Sequence, residues 1–307
     1  MSKVSLIGAG QVGSSATQYL ALKNICDEIV MIDIEEGPTK AKALDLSQAG
    51  ATLGYDTKIS GSSNFEDLKN SDIVVISAGK PREPGMDRMD LIRGNSEIVL
   101  SCVRHVKNYC PETILIIVTN PLDVMCYLAY KEAGFSRKRV VGMAGILDTS
   151  RFKTFLSWES SVSKSQIETW VLGGHGNQMV PLISQTKIQN KPVLEFIEAE
   201  KLAAIIDRTR NGGGEIVELL GKGSAYYAPG AAIVEMIESI LLDQKKLLPV
   251  SVYLQGEYGY SDLFLGVPAR LGRNGAEEII EFELDEKSKK LLDSSVEEVK
   301  KGIESLD

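Results

Sequence analysis

Five short apolar runs rich in valine and isoleucine recur through the first 145 residues: "VSLIG" (4–8), "EIVMID" (28–33), "DIVVISAG" (72–79), "TILIIVT" (113–119) and "RVVGMAG" (139–145). A run without polar alternation reads as a strand covered on both faces. Between these runs lie segments with helical spacing, at 11–23, 87–109 and from 120 to 134. Strand–helix–strand repetition requires right-handed crossovers, so the pattern predicts an α/β fold with a Rossmann-type, doubly wound parallel sheet.

Beyond about residue 145 the pattern changes. Strand character at 166–174 and 251–259 accompanies helical segments around 195–220 and 231–243, and residues 285–306 form an amphipathic helix pattern. A second, mixed α+β unit with antiparallel strands is expected. A chain of 307 residues suits two units, here 1–144 and 145–307. With no repeat, low-complexity tract or floppy linker, the junction reads as packed, and packed junctions hold ligand sites.

Composition limits the function classes. With 43% hydrophobic and 25% charged residues, the chain can build a core and is not a disordered one. A net charge of −8 argues against nucleic-acid or anionic-membrane partners. No apolar stretch approaches the roughly 20 residues that span a bilayer, and no secretory leader precedes the run beginning at Lys3. The four cysteines, Cys26, Cys102, Cys110 and Cys126, form no C-x-x-C pair or metal-type cluster. Buried reduced thiols, no bound metal and a cytoplasmic location are expected.

"GAGQVG" sets Gly8, Gly10 and Gly13 directly after the first strand and at a helix start. Such a motif alone is weak, but its context suits a dinucleotide: a tight turn, close backbone approach to a pyrophosphate, then close helix–strand packing. The helix N-terminus offers free N–H groups and a positive dipole end. The second strand ends in Asp33, twenty residues beyond Gly13, placed to accept from ribose hydroxyls. A carboxylate there repels a 2′-phosphate, and Ile34, Glu35 and Glu36 bring no arginine, which favours NAD over NADP.

The chain has two histidines. His105, within a helical pattern, reads as a packing or surface residue. His175 sits in "LGGHGNQMVP", where flanking glycines let the backbone present an imidazole into a cleft. "GILDTSRF" places Asp148 and Arg151 three apart on one helix face. A carboxylate can orient an imidazole, and a guanidinium can fork onto a substrate carboxylate. "AGKPREPGMDRMDL" (78–91) adds a proline-containing loop with Arg82 and Arg88. Those two cations are either solvated surface or aimed at an anion carrying two charges.

Together "VSLIGAGQVGSS", "AGKPREPGMDRMDL", "VTNPLDVM", "LDTSRF", "GGHGNQMVP" and "GSAYYAPG" resemble the lactate/malate dehydrogenase superfamily, most of all its lactate-dehydrogenase-like malate dehydrogenases. The likeness runs from residue 3 almost to the C-terminus. It implies that His175 is the general acid–base, oriented by Asp148. Arg151 would bind the C1 carboxylate, and Asn120 the reacting oxygen. Arg88 would polarise the carbonyl. Arg82, on a closing loop, would meet the far carboxylate of a dicarboxylate substrate, malate or oxaloacetate, where lactate dehydrogenases commonly carry glutamine. The resemblance also assigns Gly8, Gly10, Gln11, Val12, Gly13, Asp33, Asn95, Val118 and Asn120 to the cofactor, and places Ala225 near the pocket. It implies a homotetramer, with a dimer as the alternative.

Two positions bear on details. Asn177 stands where the family usually has aspartate, which should make an imidazolium at His175 less favourable; Lys80 beside the loop reads as solvated. A lactate or other 2-hydroxyacid dehydrogenase is the neighbouring alternative, and an NAD-binding redox sensor without catalysis the remote one.

Overall fold

The computed structural model describes residues 2–80 and 88–306, with the backbone alone for residues 88–90. Arg82 and the side chain of Arg88 therefore lie outside the described residues.

Strands β1 (Lys3–Ile7), β2 (Glu28–Ile32), β3 (Lys58–Ser62), β4 (Ile73–Ile76), β5 (Ile114–Ile117) and β6 (Val140–Gly142) are parallel, in the order β6-β5-β4-β1-β2-β3. Helices α1 (Gln11–Lys23), α2 (Glu36–Leu53), α3 (Arg88–Tyr109) and α4 (Leu122–Ala133) make the main crossovers. The strand order reverses between β1 and β4, and that reversal opens a crevice at their carboxyl ends. Strand residues alternate between two cores, as a period of two requires. Val4, Leu6, Ile73, Val75, Ile114 and Ile116 face one, and Ile7, Val74, Ile76, Leu115 and Ile117 face the other. This double burial accounts for the unbroken apolar runs. β3 ("KISGS") and α2 escape that signal because one is an edge strand with little apolar surface and the other is mostly exposed.

The second half contains α5 (Gly145–Ser160), five two-residue strands, and the helices α6 (Ala199–Leu220) and α7 (Tyr227–Leu241). The short strands are β7 (Ile167–Glu168), β8 (Val171–Leu172), β9 (Val180–Pro181), β10 (Lys187–Ile188) and β11 (Lys191–Pro192). The run at 166–174 is divided between sheets: β7 joins β10 and β11, whereas β8 pairs with β9. Three antiparallel strands follow, β12 (Lys246–Gln255), β13 (Ser261–Gly272) and β14 (Gly275–Ile279), and then α8 (Glu286–Glu304). They do not stand apart. β12 pairs with β6 at Ser251 and Gly142, so one nine-stranded sheet runs through both halves.

All four cysteines are buried and free. His105 stacks on Phe65 with ring centroids 4.0 Å apart and on Tyr109 at 6.3 Å, a packing role. Among the described residues no helix is long and apolar enough to cross a membrane.

Candidate active site

The crevice at the strand reversal is shaped by glycines. Gly8 leaves β1 at φ +108°, and its N–H donates to Ile32 at 2.8 Å. A Cβ on Gly13 would lie 1.9 Å from the Gly8 carbonyl oxygen, so only glycine lets α1 start this close to β1. Gly10 differs: a Cβ there meets nothing within 4 Å. Gly10 is also the N-cap of α1, and no side chain caps the helix. The first-turn N–H groups, which include those of Gln11 and Val12, have no acceptor within the helix. Open space beside uncapped amides and a positive dipole end suits a pyrophosphate.

Asp33 follows β2 and is half-buried. Its Oδ2 accepts the Ala9 N–H at 2.7 Å, fixing the carboxylate beside the glycine turn. Lys42 of α2 donates its Nζ to the Ala9 carbonyl, a cation beside the glycine turn that the sequence pattern did not single out. Asn95 is buried, and its amide is committed to the main chain: Oδ1 accepts from Lys80 N–H at 2.8 Å, and Nδ2 donates to Asn120 O at 2.8 Å. It thereby ties the end of β4 to the segment beyond β5. Val118 continues β5 by donating to Ile76 at 2.9 Å, and Asn120 is exposed beyond it. Lys80 is exposed, as expected.

In the second half of the chain, His175 Nδ1 lies 2.8 Å from Asp148 Oδ2. Asp148 is 1% exposed and sits in the first turn of α5, where the helix dipole favours its charge. Its other oxygen accepts from Arg151 Nη1 at 3.3 Å. One carboxylate thus holds both the imidazole and the guanidinium. With Nδ1 committed to Asp148, the His175 Nε2 has no partner among the described residues and is free to exchange a proton. Burial pulls the His175 pKa down, but the charge and hydrogen bond of Asp148 outweigh it and hold the pKa above the ordinary value. Asn177 is exposed.

Arg151 Nε is buried without a hydrogen-bond partner. An orphaned buried donor costs about 1–3 kcal/mol, so an acceptor from outside the chain is the natural occupant. Room for it is left by α6, where Gly212 and Gly213 pass close to the guanidinium: a Cβ on Gly212 would lie 3.3 Å from Arg151 Cδ. Ala225 is half-buried just before α7, the helix whose Gly230 packs against Ser15 of α1.

The sequence reading also missed Asp123, in the first turn of α4 and 4% exposed. Its Oδ2 accepts the His175 backbone N–H at 2.8 Å, and its Oδ1 accepts the Ser251 hydroxyl at 2.7 Å. An acidic residue in an otherwise apolar first turn was the available signal, but it reads the same as ordinary helix-dipole compensation.

A dinucleotide-type glycine turn together with a carboxylate-held imidazole and a half-satisfied arginine defines a class, the nucleotide-dependent dehydrogenases of small hydroxy acids. Residues 2–142 match the lactate/malate dehydrogenase NAD binding domain, and residues 146–306 match the alpha/beta C-terminal domain of the same enzymes. The chain belongs to the lactate/malate dehydrogenase family. It is 50% identical over 306 residues to a malate dehydrogenase of Bacillus cytotoxicus, covering 99% of this chain and 98% of the relative. The crystal structure of Cryptosporidium parvum malate dehydrogenase superposes with a TM-score of 0.97 at 42% identity, over 99% of this chain and 98% of that one. A lactate dehydrogenase from the same organism, complexed with lactic acid and NAD, gives 0.96 at 38% identity, over 100% and 98% of the two chains.

Proposed function

We infer that the chain is an NAD-dependent malate dehydrogenase, interconverting malate and oxaloacetate. The observation that carries the chemistry is the Asp148–His175 contact at 2.8 Å beside the partnerless Nε of Arg151. The substrate assignment rests on relatives of about half-identical sequence across nearly the full length.

When bound, NAD supplies the hydride acceptor at nicotinamide C4. Gly8, Gly10, Gln11, Val12 and Gly13 would hold its pyrophosphate at the start of α1, Asp33 its adenosine ribose, and Val118 and Asn120 its nicotinamide end. Asn95 serves that end indirectly, through Lys80 and Asn120. His175 Nε2 takes the hydroxyl proton of malate in one direction and returns it to oxaloacetate in the other. Asp148 fixes the tautomer and stabilises the imidazolium. Arg151 offers its free Nε and the rest of its fork to the C1 carboxylate. Asn120 and Arg88 act on the reacting oxygen, with Arg88 stabilising the negative charge that develops there. Arg82 meets the second carboxylate. Enclosed against pyruvate it would face a methyl group, an unpaired charge that is costly to bury.

The unit boundary is taken at 144/145, where β6 gives way to α5. A homotetramer, with a dimer as the alternative, is supported by apolar side chains left in solvent: Leu44 and Leu53 on α2, and Val217, Leu219 and Leu220 closing α6. A cytoplasmic location accords with four reduced thiols.

Initial rates with oxaloacetate and with pyruvate, measured side by side with NADH, test the reading. Oxaloacetate should win by orders of magnitude, and Arg82→Gln should erode that preference. A wild-type preference for pyruvate overturns the substrate assignment; equal losses on both substrates overturn the role of Arg82.

A further inference from the structure

The histidine loop is held from three directions. Three consecutive backbone amides each donate to a different distant element. Gly173 N–H donates to Gly266 O of β13 at 2.8 Å, Gly174 N–H to Ser295 Oγ of α8 at 2.8 Å, and His175 N–H to Asp123 Oδ2 of α4 at 2.8 Å. Only the last of these bonds is made to a charged group and to the residue that carries the imidazole. Asp123 is itself anchored by Ser251, a fully buried residue of β12 at the strand pair that joins the two halves of the sheet. Both Asp123 oxygens have a donor, so the carboxylate is satisfied without a proton of its own.

We propose that Asp123 is a positioning residue for the reaction: a second buried carboxylate that fixes His175 by its backbone while Asp148 fixes the ring. The proposal rests on His175 being the proton carrier. Asp148 sets only the direction of Nδ1. The bonds at Gly173 and Gly174 hold the loop just short of the backbone that carries the ring, so the bond to Asp123 is the one that fixes the main chain of His175 itself. A misplacement of about 1 Å at a reacting group can cost a hundredfold in rate. Asp123 connects the place of the imidazole to α4, which begins at the segment holding Asn120, and to the seam between the halves.

Among the described residues, the charged and titratable groups that face His175 are Asp148 and Arg151 from α5 and Asp123 from α4. Asp148 and Asp123 raise its pKa, and Arg151 lowers it. Cys126, one turn along α4 from Asp123, has its thiol pushed well up by burial and stays neutral. Burial also pushes the Asp123 carboxyl up, opposed by its bonds from Ser251 and His175.

The test is Asp123→Asn, whose neutral amide oxygen is a weaker acceptor for His175 N–H than a carboxylate and whose nitrogen cannot accept the Ser251 hydroxyl, so both bonds of the tether are weakened or lost. Since His175 and His105 are the only histidines, an NMR titration of the imidazole C2–H reads both, with the stacked His105 as internal reference. The expected result is a kcat lower by about tenfold or more, an NADH Kd within about twofold, a lowered His175 pKa and an unmoved His105. A purely structural residue would lower Tm without moving the native-state titration. Should Asp123→Asn not fold, Ser251→Ala, which removes the anchor, is expected to lower both kcat and the His175 pKa by less. Unchanged kcat and an unchanged His175 titration in the folded variant overturn the proposal. Wild-type protein that turns over no 2-oxo acid would instead overturn the functional reading, while the His175 titration would still report on the tether.

Discussion

Two glycine-rich turns, "GAGQVG" and "GGHG", are built on different principles. The first is locked by its own neighbours: Gly13 lies against Gly8, and Gly8 against Ser77 and Ala78 at the end of the adjacent strand. The second has no such local lock. Its position is imposed by β13, α8 and α4, which supply one acceptor each from residues far along the chain. The turn proposed to receive the cofactor is set by one strand–helix unit and the strand beside it, and the turn proposed to carry the proton by three separate elements. A local lock can be inherited with its strand and helix, whereas a distributed one links proton transfer to every element that touches it.

The strongest way to break this comparison is to remove the imidazole. His175→Asn is expected to lower turnover by roughly 10²–10⁴-fold, the usual weight of general acid–base catalysis. NADH affinity, followed by fluorescence titration, should be retained; its loss would mean that the two turns do not have separate tasks. Gly13→Ala comes next. Its Cβ would collide with backbone, and overpacking of that kind costs about 1–3 kcal/mol, seen as a lower Tm together with weakened NADH binding. Gly10→Ala sharpens the contrast, because its Cβ meets nothing in the protein. Stability measured by thermal melting should hold, and NADH affinity should fall by about tenfold. A normal NADH affinity would remove the pyrophosphate from this turn.

The pH profile tests the proton-carrying turn by itself. His175 is held above its ordinary 6.5. Malate oxidation needs the neutral imidazole, so kcat/KM for malate should fall as pH drops through that raised value, by about tenfold per unit. Oxaloacetate reduction needs the imidazolium and should persist to higher pH than a free histidine would allow. The smallest effect belongs to Asn177→Asp. Its side chain lies in solvent, where screening is strong. A slight upward move of the malate limb is expected, and a move as large as the loss of Asp148 would show that Asn177 turns inward.

The two turns also differ in how far they could be read from sequence. "GAGQVG" announces itself because its geometry is fixed by residue type. The helix following it was bounded at 11–23 by its spacing, as found. His175 was legible as a candidate by elimination, and Asp148 and Arg151 by their spacing. Asp123 and Ser295 were not legible, because nothing local distinguishes an acid in a helix's first turn or a serine on an amphipathic helix from solvated or capping residues. The strand at 166–174 was read as continuous, since periodicity reports burial but not which sheet supplies the hydrogen bonds. For the same reason the antiparallel strands were expected in a separate unit, whereas they extend the parallel sheet.

That shared sheet has a consequence for anyone wishing to take the molecule apart. Val140–Gly142 is an interior strand only because Ser251 arrives from more than a hundred residues later. Cutting the polypeptide after the sixth strand would strip that flank and leave unpaired amides and carbonyls beside an apolar run, a template for self-association. The nucleotide-binding portion is therefore a poor candidate for expression as a free-standing module.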